Sequence, residues 1–388
     1  MVYFQPGGYI KNTASRVNAT ELVQTSDNNI IFVNFGYRVG LFGFLASNEV
    51  KEDGDLNAGF LVVTPIMSSF MESPPELEPL LYTSQPTAAV TKVSSLAPFP
   101  ESTFMPGQPK VDDLEYQFER VVNATDCYEE DDRMACLRSK SSEELQGQNG
   151  KAPFDGRTYR AYFYWAPCTD GDMFPDYPSN LYEKGDFVKV PTLIGACTNE
   201  GSGYAVNAGS SAQFIRFMQN EYPYLTEEDT ETILDLYPRE PQLPKHDIWF
   251  PSASRAYGEV TFICPVNNVL NAIASHSDDD AKLWAVVFPH VANGPAVFGP
   301  NMVASSAKAS YLTYNAPMIP IVMNYWISFV RALDPNKHRY EDTPRWETWG
   351  DDQRRLLFEL GNVTMESVDK GERERCEAWL DMGDSTKQ

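Results

Sequence analysis

Apolar residues in this chain recur with two different spacings, and the spacing separates strands from helices. Residues 29–35 (NIIFVNF) form a β-rich run that Gly36-Tyr37-Arg38-Val39-Gly40 interrupts. Residues 190–196 (VPTLIGA) predict a strand that stops at Cys197-Thr198-Asn199-Glu200-Gly201, and residues 283–288 (LWAVVF) predict another running straight into Pro289-His290. Short apolar runs bounded by Gly or Pro are the signature of buried strands. Met1 to Gln5 read the same way, as a core strand entering a glycine turn. Helical spacing holds over 113–122, 211–221, 227–237 and 318–333, and the last of these carries an Ile, Met, Trp and Phe stripe suited to a core. Strands alternating with helices predict an α/β layer architecture. No internal repeat is present.

One stretch fits neither period. Residues 61–100 contain seven prolines and read, by composition, as a Pro-rich linker.

Composition narrows the function classes. The chain has 388 residues, 42% hydrophobic and 22% charged, enough for one large α/β domain or two smaller ones. No apolar run reaches the roughly 18–20 residues of a membrane span. The formal net charge is -23, a surface that repels phosphate backbones, so nucleic acid is not an expected partner. Six cysteines are too few for a disulfide scaffold and show no metal-ligand clustering. Cys127 and Cys136 bracket a short acidic loop, and a bridge there would contribute roughly 2–3 kcal/mol; partners for Cys168, Cys197, Cys264 and Cys376 stay open. Asn18, Asn123 and Asn362 each begin a glycosylation tripeptide. These features favour secretion. The opening residues nevertheless lack a signal-peptide pattern, so the expectation is a chain that has lost its beginning.

Four landmarks, in this order, resemble the type-B carboxylesterases, the α/β-hydrolase family of cholinesterases and fungal secreted lipases. The first is Gln5-Pro6-Gly7-Gly8-Tyr9. The second joins Gly36-Tyr37-Arg38-Val39-Gly40-Leu41-Phe42-Gly43-Phe44-Leu45 to Gly54-Asp55-Leu56-Asn57-Ala58-Gly59. The third is Asp170-Gly171, then Val190 to Gly195 ending in Asn199-Glu200-Gly201. The fourth is Pro289-His290 with Phe298-Gly299-Pro300 and the segment Tyr325 to Phe329. The resemblance implies a single domain over 1–388 with a mostly parallel central sheet flanked by helices, here missing the N-terminal strands and the nucleophile strand. It implies hydrolysis of carboxylic esters, small or lipid, through an acyl-enzyme, with no cofactor and no metal.

Ester hydrolysis needs a nucleophile, a base, a carboxylate that orients the base, and donors for the oxyanion. On their own, Glu200 reads as a solvated carboxylate, His290 as a loop histidine, and Gly7-Gly8 as a tight turn. The resemblance makes Glu200 the triad acid, His290 the base, and Gly7 and Gly8 the oxyanion donors. Pro6 stands where the family usually has a glycine, and Asn293 where a Glu commonly follows the histidine. The chain contains no G-x-S-x-G.

The family's nucleophile elbow falls in the interval occupied by the Pro-rich stretch, before Glu101-Ser102-Thr103-Phe104, which is similar to its E-S-x-F. Reading those codons one step out of register permits D-P-x-H-V-x-x-H-G-[VI]-S-A-G. Within it, Met71 to Glu72 must give Gly, and Phe70 to Met71 only His or Tyr. The stretch is therefore expected to be family sequence translated in the wrong frame, and resequencing the transcript checks it. The rival expectation is a catalytically silent, cholinesterase-like binding protein or a non-functional gene product.

Overall fold

A computed structural model describes residues 1–4, 7–11, 17–61, 81–83, 102–277, 281–288 and 312–388. Seven strands are found among them: β1 (Val2–Phe4), β2 (Val33–Phe35), β3 (Leu81–Thr83), β4 (Thr192–Cys197), β5 (Leu283–Phe288), β6 (Arg354–Glu359) and β7 (Asn362–Ser367). They form two ladders, β2-β1-β3 and β4-β5-β6-β7, parallel at every pairing except β6 with β7.

The apolar runs at 190–196 and 283–288 form strands because they bury both faces. All six residues of β5 are buried. Trp284, Val286 and Phe288 face the helix Met318–Ala332 through Trp326, while Leu283 and Ala285 face the helix Cys264–Ser275 through Leu270 and Ile273. A parallel strand covered by helices on both sides reads as a continuous apolar run for this reason.

Helix starts follow their capping chemistry. Ser210 accepts from the Gln213 N–H at the head of Ser211–Glu221, and Thr226 with Asp229 closes a capping box on Glu227–Leu236. The helix expected over 113–122 is Glu115–Ala124, entered through a tighter turn at Val111–Leu114. The β-rich run 29–35 contributes only its last three residues to the sheet.

One expectation is corrected. The composition of 61–100 implies a stretch that adds nothing to the sheet, yet Leu81–Thr83 pairs in parallel with β1, on the side opposite β2. A ladder needs only extended backbone with free N–H and C=O groups. Leu80 to Gln85 is proline-free between Pro79 and Pro86, so it can supply them. Of the rest of the stretch, only Leu61, which ends the helix Ala58–Leu61, lies among the described residues.

Disulfides join Cys127 to Cys136, with Cα atoms 5.7 Å apart, and Cys264 to Cys376 across a sequence separation of 112. The second ties the helix Cys264–Ser275 to Lys370–Asp381. Closing so long a loop should be worth about 4–5 kcal/mol in the chain-entropy picture. Cys264→Ser with Cys376→Ser is thus expected to lower the denaturant midpoint of unfolding far more than the matching pair at Cys127 and Cys136.

Candidate active site

The Gly7-Gly8 turn leaves β1 with φ of 144° and 57°, values that favour glycine. The N–H groups of Ile10 and Lys11 both donate to Gly7 O, at 3.1 and 3.2 Å, closing the turn. A side chain on Gly8 would place its Cβ 2.2 Å from the Phe163 ring, so this backbone is packed directly against an aromatic face. Tyr9 O accepts from the Gly40 N–H at 2.7 Å, which docks the second landmark on the first.

The second and third landmarks also meet. The Asn57 amide donates to Asp170 Oδ2 at 2.7 Å and to Cys168 O at 3.0 Å, and it accepts from the Cys168 N–H at 2.9 Å. The other oxygen of Asp170 accepts from the Asp172 and Phe174 N–H groups. Asn57 and Asp170, motif letters in sequence, thus meet in one buried hydrogen-bonded joint with Cys168. Asn57→Ala should leave Asp170 and the Cys168 N–H short of partners and cost about 2–3 kcal/mol, read by chemical denaturation.

Glu200 opens the short turn Glu200–Gly203, three residues beyond the end of β4. It is not the solvated carboxylate that its residue type suggests in an acidic chain: it is 8% exposed. Burial raises its carboxyl above the usual range, and hydrogen bonds from Cys197 and Ser102 draw it back down. The Cys197 N–H donates to Oε1 at 2.7 Å. Gly201 is required next to it, because a Cβ there would sit 1.9 Å from Ser254 O in the helix Phe250–Gly258. Gly201→Ala should therefore push the acid-bearing turn off that helix, lowering the thermal midpoint by several degrees at about 2–4 kcal/mol of lost stability.

The carboxyl ends of β4 and β5 lie side by side. Cys197 is opposite Phe288, and the Thr198 N–H donates to Phe288 O at 2.9 Å. The last residue of β5 is therefore level with the end of β4, three positions before Glu200. His290, two positions beyond Phe288, lies outside the described residues, as do Asn293, Pro6 and the motif Phe298-Gly299-Pro300. The other histidines sit elsewhere in the fold: His246 stacks on Phe250 with centroids 3.7 Å apart, His276 meets Phe187 edge-on, and the His338 backbone N–H donates to Ser328.

An aromatic bridge links the two halves of the site. Phe163, against Gly8, lies 4.2 Å from the Phe104 ring and 5.6 Å from Tyr204, and Tyr204 closes the turn that begins at Glu200. Phe163 belongs to no motif, and Ser102 is legible only as a letter of Glu101-Ser102-Thr103-Phe104, so no sequence signal marks either as a site residue. The three tripeptide asparagines Asn18, Asn123 and Asn362 are all exposed. Among the described residues, no group of three or more His, Cys, Asp or Glu is placed to hold a metal, and no helix is long and apolar enough to cross a membrane.

A parallel sheet with helices on both faces, a glycine turn after one strand and a buried acid after another define an α/β-hydrolase. The carboxylesterase family model matches residues 1–62 and 103–379, and the chain belongs to that family. It is similar to the crystal structure of EstA from Aspergillus niger, with a TM-score of 0.93 and 35% identity, over 100% of this chain and 81% of that one. Secreted triacylglycerol lipase LIP1 of Gibberella zeae is 22% identical over 92% of this chain, and neuroligin-2 of Mus musculus 24% over 88%. The chain spans 66% of the first of these relatives and 45% of the second.

Proposed function

We propose that this chain carries the framework of an extracellular carboxylic ester hydrolase and, as written, lacks its nucleophile. In this reading, residues 1–388 belong to one hydrolase domain. Glu200 orients His290, and the Gly7 and Gly8 amides receive the oxyanion of the tetrahedral intermediate. The observation that carries the reading is Glu200 itself: buried at the end of β4 beside the end of β5, its carboxylate is held by donors, as a triad acid must be to stabilise a histidinium. The serine that Glu200 and His290 would serve belongs to the interval 61–100, and the family match stops at 62 and resumes at 103. That gap is what a frame change confined to the interval would produce. The substrate class is a small-molecule or lipid ester. Secretion is supported by the likeness to the secreted lipase LIP1, the two disulfides and the exposed tripeptide asparagines. The pairing of Cys127 with Cys136 and glycan on Asn18, Asn123 and Asn362 belong to the same proposal. Peptide mapping of secreted material without reduction tests both, and free thiols at Cys127 and Cys136 would count against secretion.

A second reading is a non-hydrolytic binding member of the family, favoured by the neuroligin-2 likeness over 88% of the chain. Resequencing the transcript separates the two. A shifted frame supports the defective hydrolase, whereas a verified frame without serine in secreted protein supports the binding member.

A further inference from the structure

The loop that presses Phe163 onto the Gly7-Gly8 turn is held from one side by the end of a single helix. Three bonds run from residues 157–162 to residues 220–223, where Ser211–Glu221 terminates. The Arg157 guanidinium donates to Pro223 O, the Tyr159 N–H to Asn220 Oδ1 at 3.2 Å, and the Tyr162 N–H to Glu221 Oε2 at 3.0 Å. Of the three acceptors, only Glu221 can change charge. We propose that Glu221 is a positioning residue for the oxyanion turn: its carboxylate latches Tyr162, and through the adjacent Phe163 it fixes the aromatic wall against Gly8. The consequence for esters rests on the hydrolase reading above, but the latch itself does not.

Burial pushes the Glu221 carboxyl up to about 7, against the pull of the Tyr162 N–H, the Asn220 amide and Lys151. Asn220 Nδ2 donates to Oε1 at 3.2 Å from its own helix. Lys151 approaches from the preceding loop, with its ammonium 4.3 Å from the Tyr162 ring centre. Lys11, beyond the glycine turn, acts on Lys151. The phenols of Tyr162, Tyr222 and Tyr257 are each raised, first by burial and then by the charge of Glu221.

Ionisation then has two opposite effects. The folded carboxyl titrates above its ordinary 4.5, so its contribution to global stability is full below that value and is lost as pH rises through about 7. The Tyr162 N–H, in contrast, is held more tightly by a carboxylate than by a neutral acid. Few structural roles would make one loop firmer while the whole protein becomes less stable.

Hydrogen exchange of the peptide 157–163, corrected for intrinsic rates, tests the proposal on the full chain without any need for hydrolysis. Protection of the Tyr162 amide is expected to rise about fivefold between pH 5.5 and pH 8, with its midpoint near 7. Glu221→Gln should flatten the profile, and Lys151→Met, at an exposed site, should move the midpoint upward. A flat profile in the natural chain, or a profile that survives in Glu221→Gln, would overturn the latch. If Glu221→Gln does not fold, an unmoved midpoint in Lys151→Met has the same force. Failure of the hydrolase reading would show up instead in serine labelling and leave these profiles untouched.

Discussion

On the proposed reading, the protein with its frame restored across 61–100 should label stoichiometrically with a fluorophosphonate and hydrolyse aryl esters, and the chain as written should do neither. The expected difference in turnover is of the order of 10⁶-fold, because a triad without its serine loses the covalent route altogether. What survives is transition-state binding by the oxyanion turn, roughly 10³–10⁴-fold over water in enzymes stripped of a triad member. Mass spectrometry of the labelled peptide checks the result. Stoichiometric labelling of any serine in the chain as written would sink the idea of a missing nucleophile. If the restored chain labels but its His290→Ala variant labels equally well, His290 is not the base.

The second large effect is on stability and concerns a buried ion pair. Glu259 lies in the wide helical turn Glu259–Ile263, between the helices Phe250–Gly258 and Cys264–Ser275. It is 4% exposed, and Arg375 holds it with two bonds of 2.7 Å, while the Tyr237 hydroxyl donates to it at 2.7 Å. Arg375→Ala would leave a buried carboxylate with one neutral donor, which costs about 3–5 kcal/mol. Burial already raises this carboxyl, and Arg375 draws it down. Removing the arginine raises it further, so the carboxyl takes up a proton on folding and the variant's deficit should grow as pH rises. Urea unfolding at pH 5 and pH 8 measures this, with the larger loss expected at pH 8. A loss below about 1 kcal/mol at both values would show that water reaches the site and the pair is worth no more than a surface bridge.

Much of the site is legible in the amino-acid sequence. The strands that end at Cys197 and Phe288 follow from short apolar runs cut off by polar turns, and their ends carry Glu200 and His290 within a few residues. Glycines 7, 8 and 201 are recognisable letters in motifs. The reason for each is spatial: Phe163 fills the place of a Cβ on Gly8, and Ser254 the place of one on Gly201. The helices Phe250–Gly258 and Lys370–Asp381 carry no comparable signal, and neither does the bridge Cys264–Cys376 that joins this region. Their partners are more than a hundred residues apart, beyond the reach of any local pattern.

Local patterns thus fix what each segment can become, because periodicity, caps and proline act within a few residues along the backbone. On that basis the sequence determined the α/β class and the strand ends that bear the candidate acid and base. Only the tertiary structure decided that Glu200 is buried with Cys197 and Ser102 as donors, and that Asn57 completes Asp170. It also decided that Leu81–Thr83 joins β1 and that Glu221 holds the loop bearing Phe163. Each of these depends on which distant groups share one desolvated space, and desolvation makes a hydrogen bond or a charge decisive only once the chain has closed around it.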